Sequence, residues 1–123
     1  MNNEFFIELI KNHVRDAAIE DVILKLNKPP GRKPRERHVT QSQWFNQLST
    51  DDKNTVKEVV QEAVDEAIFG FLAVIDGVRA VEDSSEHKGE FILMYRLEGV
   101  NERLNDPDKE YLHDIYNGLT NPR

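Results

Sequence analysis

Apolar residues recur at steps of three and four through "FFIELIKNHVRDAAIEDVILKLN", with Phe6, Ile10, Val14, Ala17 and Ala18 on one stripe and Ile19, Ile23 and Leu26 drifting to a neighbouring one. Neither Gly nor Pro interrupts the period, which predicts a helix over residues 3–26. "NKPPGRKPRERH" must end it, because its prolines remove donors and fix φ. An exposed loop is expected over 28–39. In "TQSQWFNQL", Thr40 and Gln43 have capping-box spacing ahead of Trp44, Phe45 and Leu48, so a short helix is expected to start at Thr40.

A long helix over 50–83 follows, with Ser49 or Thr50 as N-cap and Asp51 and Asp52 in the first turn, where carboxylates suit the helix dipole. Its apolar positions are Val56, Val60, Ala63, Ala67, Phe71, Val74, Val78 and Val81, while Lys57, Glu58, Gln61, Glu62, Asp65 and Glu66 hold the opposite side. From Ala67 to Ile75 the polar side disappears, and a helix apolar all round must be covered by the rest of the fold or by a second subunit. "EFILMYRLEGVNERLND" alternates Phe91, Leu93, Tyr95 and Leu97 with Ile92, Met94 and Arg96, then turns at Glu98 and Gly99, so a β-hairpin is expected over 90–104. A hairpin alone is marginal in water. A last helix over 106–118 has Asp106 as N-cap, Pro107 at the first helical position, Leu112, Ile115 and Leu119 inward, and Asn117 with Gly118 as its stop. Together the elements predict one α+β domain, mostly α, in which the central helix is packed by both flanking helices and the hairpin. The uncovered apolar stretch and the lone hairpin predict a homodimer.

Charge alters this picture through its distribution. The chain carries a net −7, yet residues 28–38 hold five cations against Glu36, a net +4, leaving −11 for the other residues. An acidic body argues against general nucleic-acid binding, although one basic loop can grip an oxyanion or an acidic protein. The chain has no cysteine, which removes disulfides, thiolate nucleophiles and Cys-ligated zinc. Its apolar runs fall far short of the roughly 20 residues of a membrane helix. Glu4, Glu8, Asp16 and Glu20 stand where a signal peptide would be basic and then apolar, so a cytosolic protein is expected.

Three groups of residues are candidates for chemistry or binding. Asp76, Arg79, Glu82 and Asp83 arrive at helical spacing after the apolar stretch. The expectation is a structural charge pair, Asp76 with Arg79, partly buried and seating the central helix; the alternative is a surface ladder. In the basic loop, Arg32, Lys33, Arg35 and Arg37, with Trp44 beyond it, are candidates for a partner or an anion. The carboxylates Glu58, Glu62, Asp65 and Glu66 line one side of the central helix in the manner of magnesium ligands, but no second acidic set matches them, and a solvated face is the simpler expectation. His13, His38, His87 and His113 lack metal-ligand spacing, and no GxSxG, P-loop or GxGxxG occurs. No catalytic residue, metal site or cofactor is expected.

The segments "WFNQLS", "GFLAVIDGVRAVED" and "LNDPDKEYLHDIYN" resemble a family of small uncharacterised bacterial proteins, a resemblance covering about residues 44–117. It brings no known activity, so no residue acquires a role from it. Small, acidic, cysteine-free chains of this kind also resemble bacterial immunity proteins and antitoxins, which act by occluding a toxin's site. The expected function is therefore a non-catalytic interaction protein of immunity type whose acidic body meets a basic partner. The alternative is a phosphate- or nucleotide-binding or metal-dependent hydrolytic protein using the basic loop or the helix carboxylates.

Overall fold

The N-terminal rod is one nearly continuous helix, as its period predicts: α1 (Asn3–Ile10), a π-helical turn (Lys11–Arg15) and α2 (Asp16–Asn27). Asn2 caps it by accepting from the Phe5 amide at 2.8 Å. The π turn, in which the Asp16 amide donates to the Lys11 carbonyl, adds a residue to one turn and shifts the inward face. Ile7 and Arg15 point inward, whereas Val14 of the expected stripe is exposed. The computed structural model describes residues 1–82 and 89–121.

Helix α3 spans Glu36–Asn46 and starts one turn earlier than the expected Thr40 cap. Extended backbone at Arg35 ends the proline segment, and the His38 and Val39 amides already donate to the Arg35 carbonyl. A charged run is compatible with an exposed helical turn, so the basic loop is shortened to residues 28–35. The Asn46 side-chain amide donates to the Asn27 carbonyl at 3.1 Å, tying α3 to the end of α2.

The central helix α4 runs Thr50–Ile75, capped by the Ser49 hydroxyl, which accepts from the Asp52 amide at 3.1 Å. It stops eight residues before the expected end at 83. Gly77 adopts φ 78°, its amide donates to the Val74 carbonyl, and the Val78 amide donates to the Ala73 carbonyl. This paired closure terminates a helix at a glycine in the left-handed region. The spacing of Asp76, Arg79 and Glu82 is therefore not a helical ladder, and Asp83 lies outside the described residues.

Strands β1 (Met94–Leu97) and β2 (Val100–Arg103) pair antiparallel, Met94 opposite Arg103 and Leu97 opposite Val100. Glu98 and Gly99 form the turn with φ 50° and 79°, the left-handed pair that suits a two-residue hairpin. Helix α5 spans Leu112–Thr120, not 106–118. Asp106 caps a separate turn instead, accepting from the Asp108 amide at 2.9 Å, and Tyr111 is extended before α5 begins. Gly118, expected as a stop, lies inside the helix.

The core gathers Ile7, Leu72, Leu112, Ile115 and Tyr116, with Phe69 and Leu93 packed against it. Leu26 of α2 and Phe45 of α3 are also buried, and the Lys53 ammonium, in the first turn of α4, sits 5.7 Å from the Phe45 ring centre. Ile7 shares the core with Leu72 and Arg15 reaches Asp65, so the N-terminal rod is antiparallel to α4. The basic loop thus lies where α4 begins and the hairpin where it ends. No described helix is long and apolar enough to cross a membrane.

Candidate functional site

Two inward-facing carboxylates, Asp65 within α4 and Asp76 at its C-cap, hold the helices together. Asp65 accepts from Arg15 twice, Nε to Oδ1 at 2.7 Å and Nη2 to Oδ2 at 3.1 Å, and from the Tyr116 hydroxyl at 2.6 Å. The third guanidinium nitrogen of Arg15 donates to Asp16 at 2.8 Å, and Lys11 donates to the other Asp16 oxygen at 3.2 Å. Burial pushes the Asp65 carboxyl up, but hydrogen bonds from Arg15 and Tyr116 outweigh it and hold the group below the usual carboxylate range. Asp16 is likewise held low, its burial offset by Arg15 and Lys11. Arg15 is pushed up, mainly by its bond to Asp65, and burial followed by the same carboxylate pushes the Tyr116 phenol up.

Asp76 caps the other end of this face with a side chain that is 0% exposed. Its Oδ2 accepts from the His113 amide at 2.9 Å and from the ring Nδ1 at 2.7 Å, while Oδ1 has no partner among the described residues. As an acceptor from both groups, the Asp76 carboxylate selects the His113 tautomer with the proton on Nδ1. The imidazole is stacked on Tyr111, meets Phe69 edge-on, and places Nε2 3.3 Å from the Asp114 carboxylate. The expected Asp76–Arg79 pair is thus corrected: His113 takes the place assigned to Arg79. The Arg79 guanidinium lies over the bare backbone of Gly70, where an added Cβ would stand 2.5 Å from Nη1. Arg79 is the nearest cation in sequence, but the turn at Gly77 carries it off the helix; His113, 37 residues away, had no local signal. Arg15 has no local signal for a related reason, since a regular helical period conceals the π turn that aims it inward.

Asn105 likewise carries no local signal of its role. Its amide nitrogen donates to the Ile75 and Phe91 carbonyls at 2.8 and 2.7 Å, and its oxygen accepts from the Leu93 amide at 2.8 Å. This buried side chain pins the hairpin to the end of α4.

Beside the Asp65 network lies an open groove of about 530 Å3 between α4 and α5. Exposed Glu58, Glu62 and Glu66 form its acidic wall, Phe69 contributes apolar surface, and Asn117 and Asn121 line the α5 side. Among the described residues no ion pair involves the three glutamates, and no group of three or more His, Asp or Glu is placed to hold a metal ion. A second concavity, of about 410 Å3, gathers Lys33, Arg35 and Arg37 with Lys25 and His38. The His38 imidazole is pushed down, first by slight desolvation and then by repulsion from Arg37, Lys25 and Arg35. Neither Arg32 nor Trp44 lines this concavity; Trp44 stands 54% exposed on α3. Glu82 accepts from the Gly89 amide at 3.2 Å. His13 is exposed, and His87 lies outside the described residues.

The chain matches no family model, and no curated protein or solved structure matches it.

Proposed function

We propose that the protein is a non-catalytic interaction module of the immunity or antitoxin type, residing in the cytosol, whose acidic groove between α4 and α5 receives a cationic segment of a partner protein. The observation that carries this is the file Glu58, Glu62, Glu66. Like charges at i and i+4 repel on a helix by about 0.2–0.5 kcal/mol per pair, a cost that a docked cation removes. The neighbouring groups with perturbed protonation are engaged in structure: Asp65, Arg15 and Tyr116 satisfy one another and leave the groove wall to bind rather than react. Phe69 adds the apolar surface against which the stem of a lysine or arginine can pack.

The test is co-expression with the product of the adjacent gene, followed by titration of the purified pair at several salt concentrations. Tight binding that weakens with salt and is lost in the Glu58→Gln, Glu62→Gln, Glu66→Gln triple variant, with an unchanged circular dichroism spectrum, is expected. Undiminished binding by the triple variant, or no complex at all, removes the groove as the binding surface.

A further inference from the structure

The apolar stripe that the sequence displays most openly is not the stripe that the fold buries. On the C-terminal half of α4, Leu72 and Ala73 are buried and Phe69 and Ile75 are packed against the core, whereas Ala63, Ala67 and Phe71 are exposed, Phe71 at 65%. Val60 and Val74 are half-buried at the two ends of this outward stripe. Its members, Val60, Ala63, Ala67, Phe71 and Val74, are symmetric about Ala67, at steps of four and seven residues to either side.

We propose that a second copy of the chain covers this face, with the two α4 helices antiparallel about a twofold axis at Ala67. A twofold interface must be self-complementary, and a palindromic stripe satisfies that requirement. Ala67 meets its own counterpart, Phe71 of each copy lies over Ala63 of the other, and Val60 faces Val74. The bulky ring thus enters the gap left by a small side chain. A parallel pairing would set Phe71 against Phe71 and leave Ala63 against Ala63.

Charge selects the same arrangement. The basic loop, part of the net +4 of residues 28–38, lies where α4 begins. Residues 89–110, where α4 ends, carry six carboxylates against three cations, a net −3. Antiparallel copies set each basic loop beside the other copy's acidic hairpin end, and opposed helix dipoles add to the match. Two chains of net −7 would otherwise repel. The face lies apart from the glutamate wall, so the proposal stands independently of the groove.

Because the chain has no cysteine, single cysteine variants read the geometry directly. Light scattering of the purified protein at high micromolar concentration is expected to give twice the 14.3 kDa chain mass. Phe71→Glu, at an exposed site, is expected to give the single-chain mass with an unchanged circular dichroism spectrum. Ala67→Cys is expected to form a disulfide-linked dimer on mild oxidation. A single-chain mass for the wild type overturns the proposal. So does a dimer that survives Phe71→Glu and links through Val100→Cys but not Ala67→Cys, which would move the contact to the hairpin.

Discussion

Asp65 and Asp76 lie on the same side of α4, three turns apart, and both are turned into the protein, yet they are compensated in opposite ways. Asp65 faces a full guanidinium in a bidentate grip and a phenol, so donors from two other elements reach its oxygens. Asp76 receives both its donors from one residue, His113, on one oxygen, and keeps the other oxygen buried without a described partner. It also stands at the C-terminal end of α4, where the helix dipole is negative. A carboxylate held by a cation across three elements locks the fold. One held by a single histidine closes a joint at a cost in solvation, because a buried charge is tolerated only as far as its partners replace water.

The contrast is broken most severely from the Asp65 side. Arg15→Met is expected to destabilise the protein by about 3 kcal/mol, because it strands Asp65 with only the phenol as donor. Urea unfolding measures it, and a loss no larger than that of His113→Phe would remove the contrast between the two carboxylates. Asp65→Asn comes next, at about 2 kcal/mol, since it keeps the shape but replaces a charged acceptor with one that mismatches the guanidinium. Asp76→Asn should cost less than about 1 kcal/mol, as it removes a charge whose second oxygen is already unpaired. Comparing the two Asn variants in one thermal-unfolding series sharpens the comparison directly.

Acid titration separates the sites further. The folded carboxyl of Asp65 is held below its unfolded value, so its stabilisation is present above about pH 3.9, the ordinary Asp value, and is lost as pH falls through the lower folded value. Stability measured from pH 5 downward should therefore fall more gently in Asp65→Asn than in wild type. The smallest effect is expected at Arg79→Ala, under about 1 kcal/mol, and its coupling to Asp76 in a double-mutant cycle should be weaker than that of His113. A strong Asp76–Arg79 coupling would restore the pair that the sequence spacing predicts.

The order of helices and hairpin, the Ser49 cap, the turn at Glu98 and Gly99 and the α+β class were legible in the residues, because caps, glycines and hydrophobic period act over a few positions. The stop at Gly77 was not legible, because the charges after it keep helical spacing and carry the expected helix on to 83. Which stripe of α4 faces the core was not legible. A segment apolar all round offers the fold more than one face, and the choice of the side with Leu72 and Ala73 was made by α1 and α5.

What the sequence determined by itself is thus the local part: where chains of backbone hydrogen bonds begin, where a turn needs a left-handed residue, and how acidic the surface is. Only the tertiary structure decided which charge meets which. Arg15 finds Asp65 across 50 residues and Asp76 finds His113 across 37, and Asn105 joins the hairpin to Ile75 across 30. The physical reason is that an ion pair depends on distance in space, and helices that pack antiparallel bring together side chains whose separation along the chain carries no periodic signal.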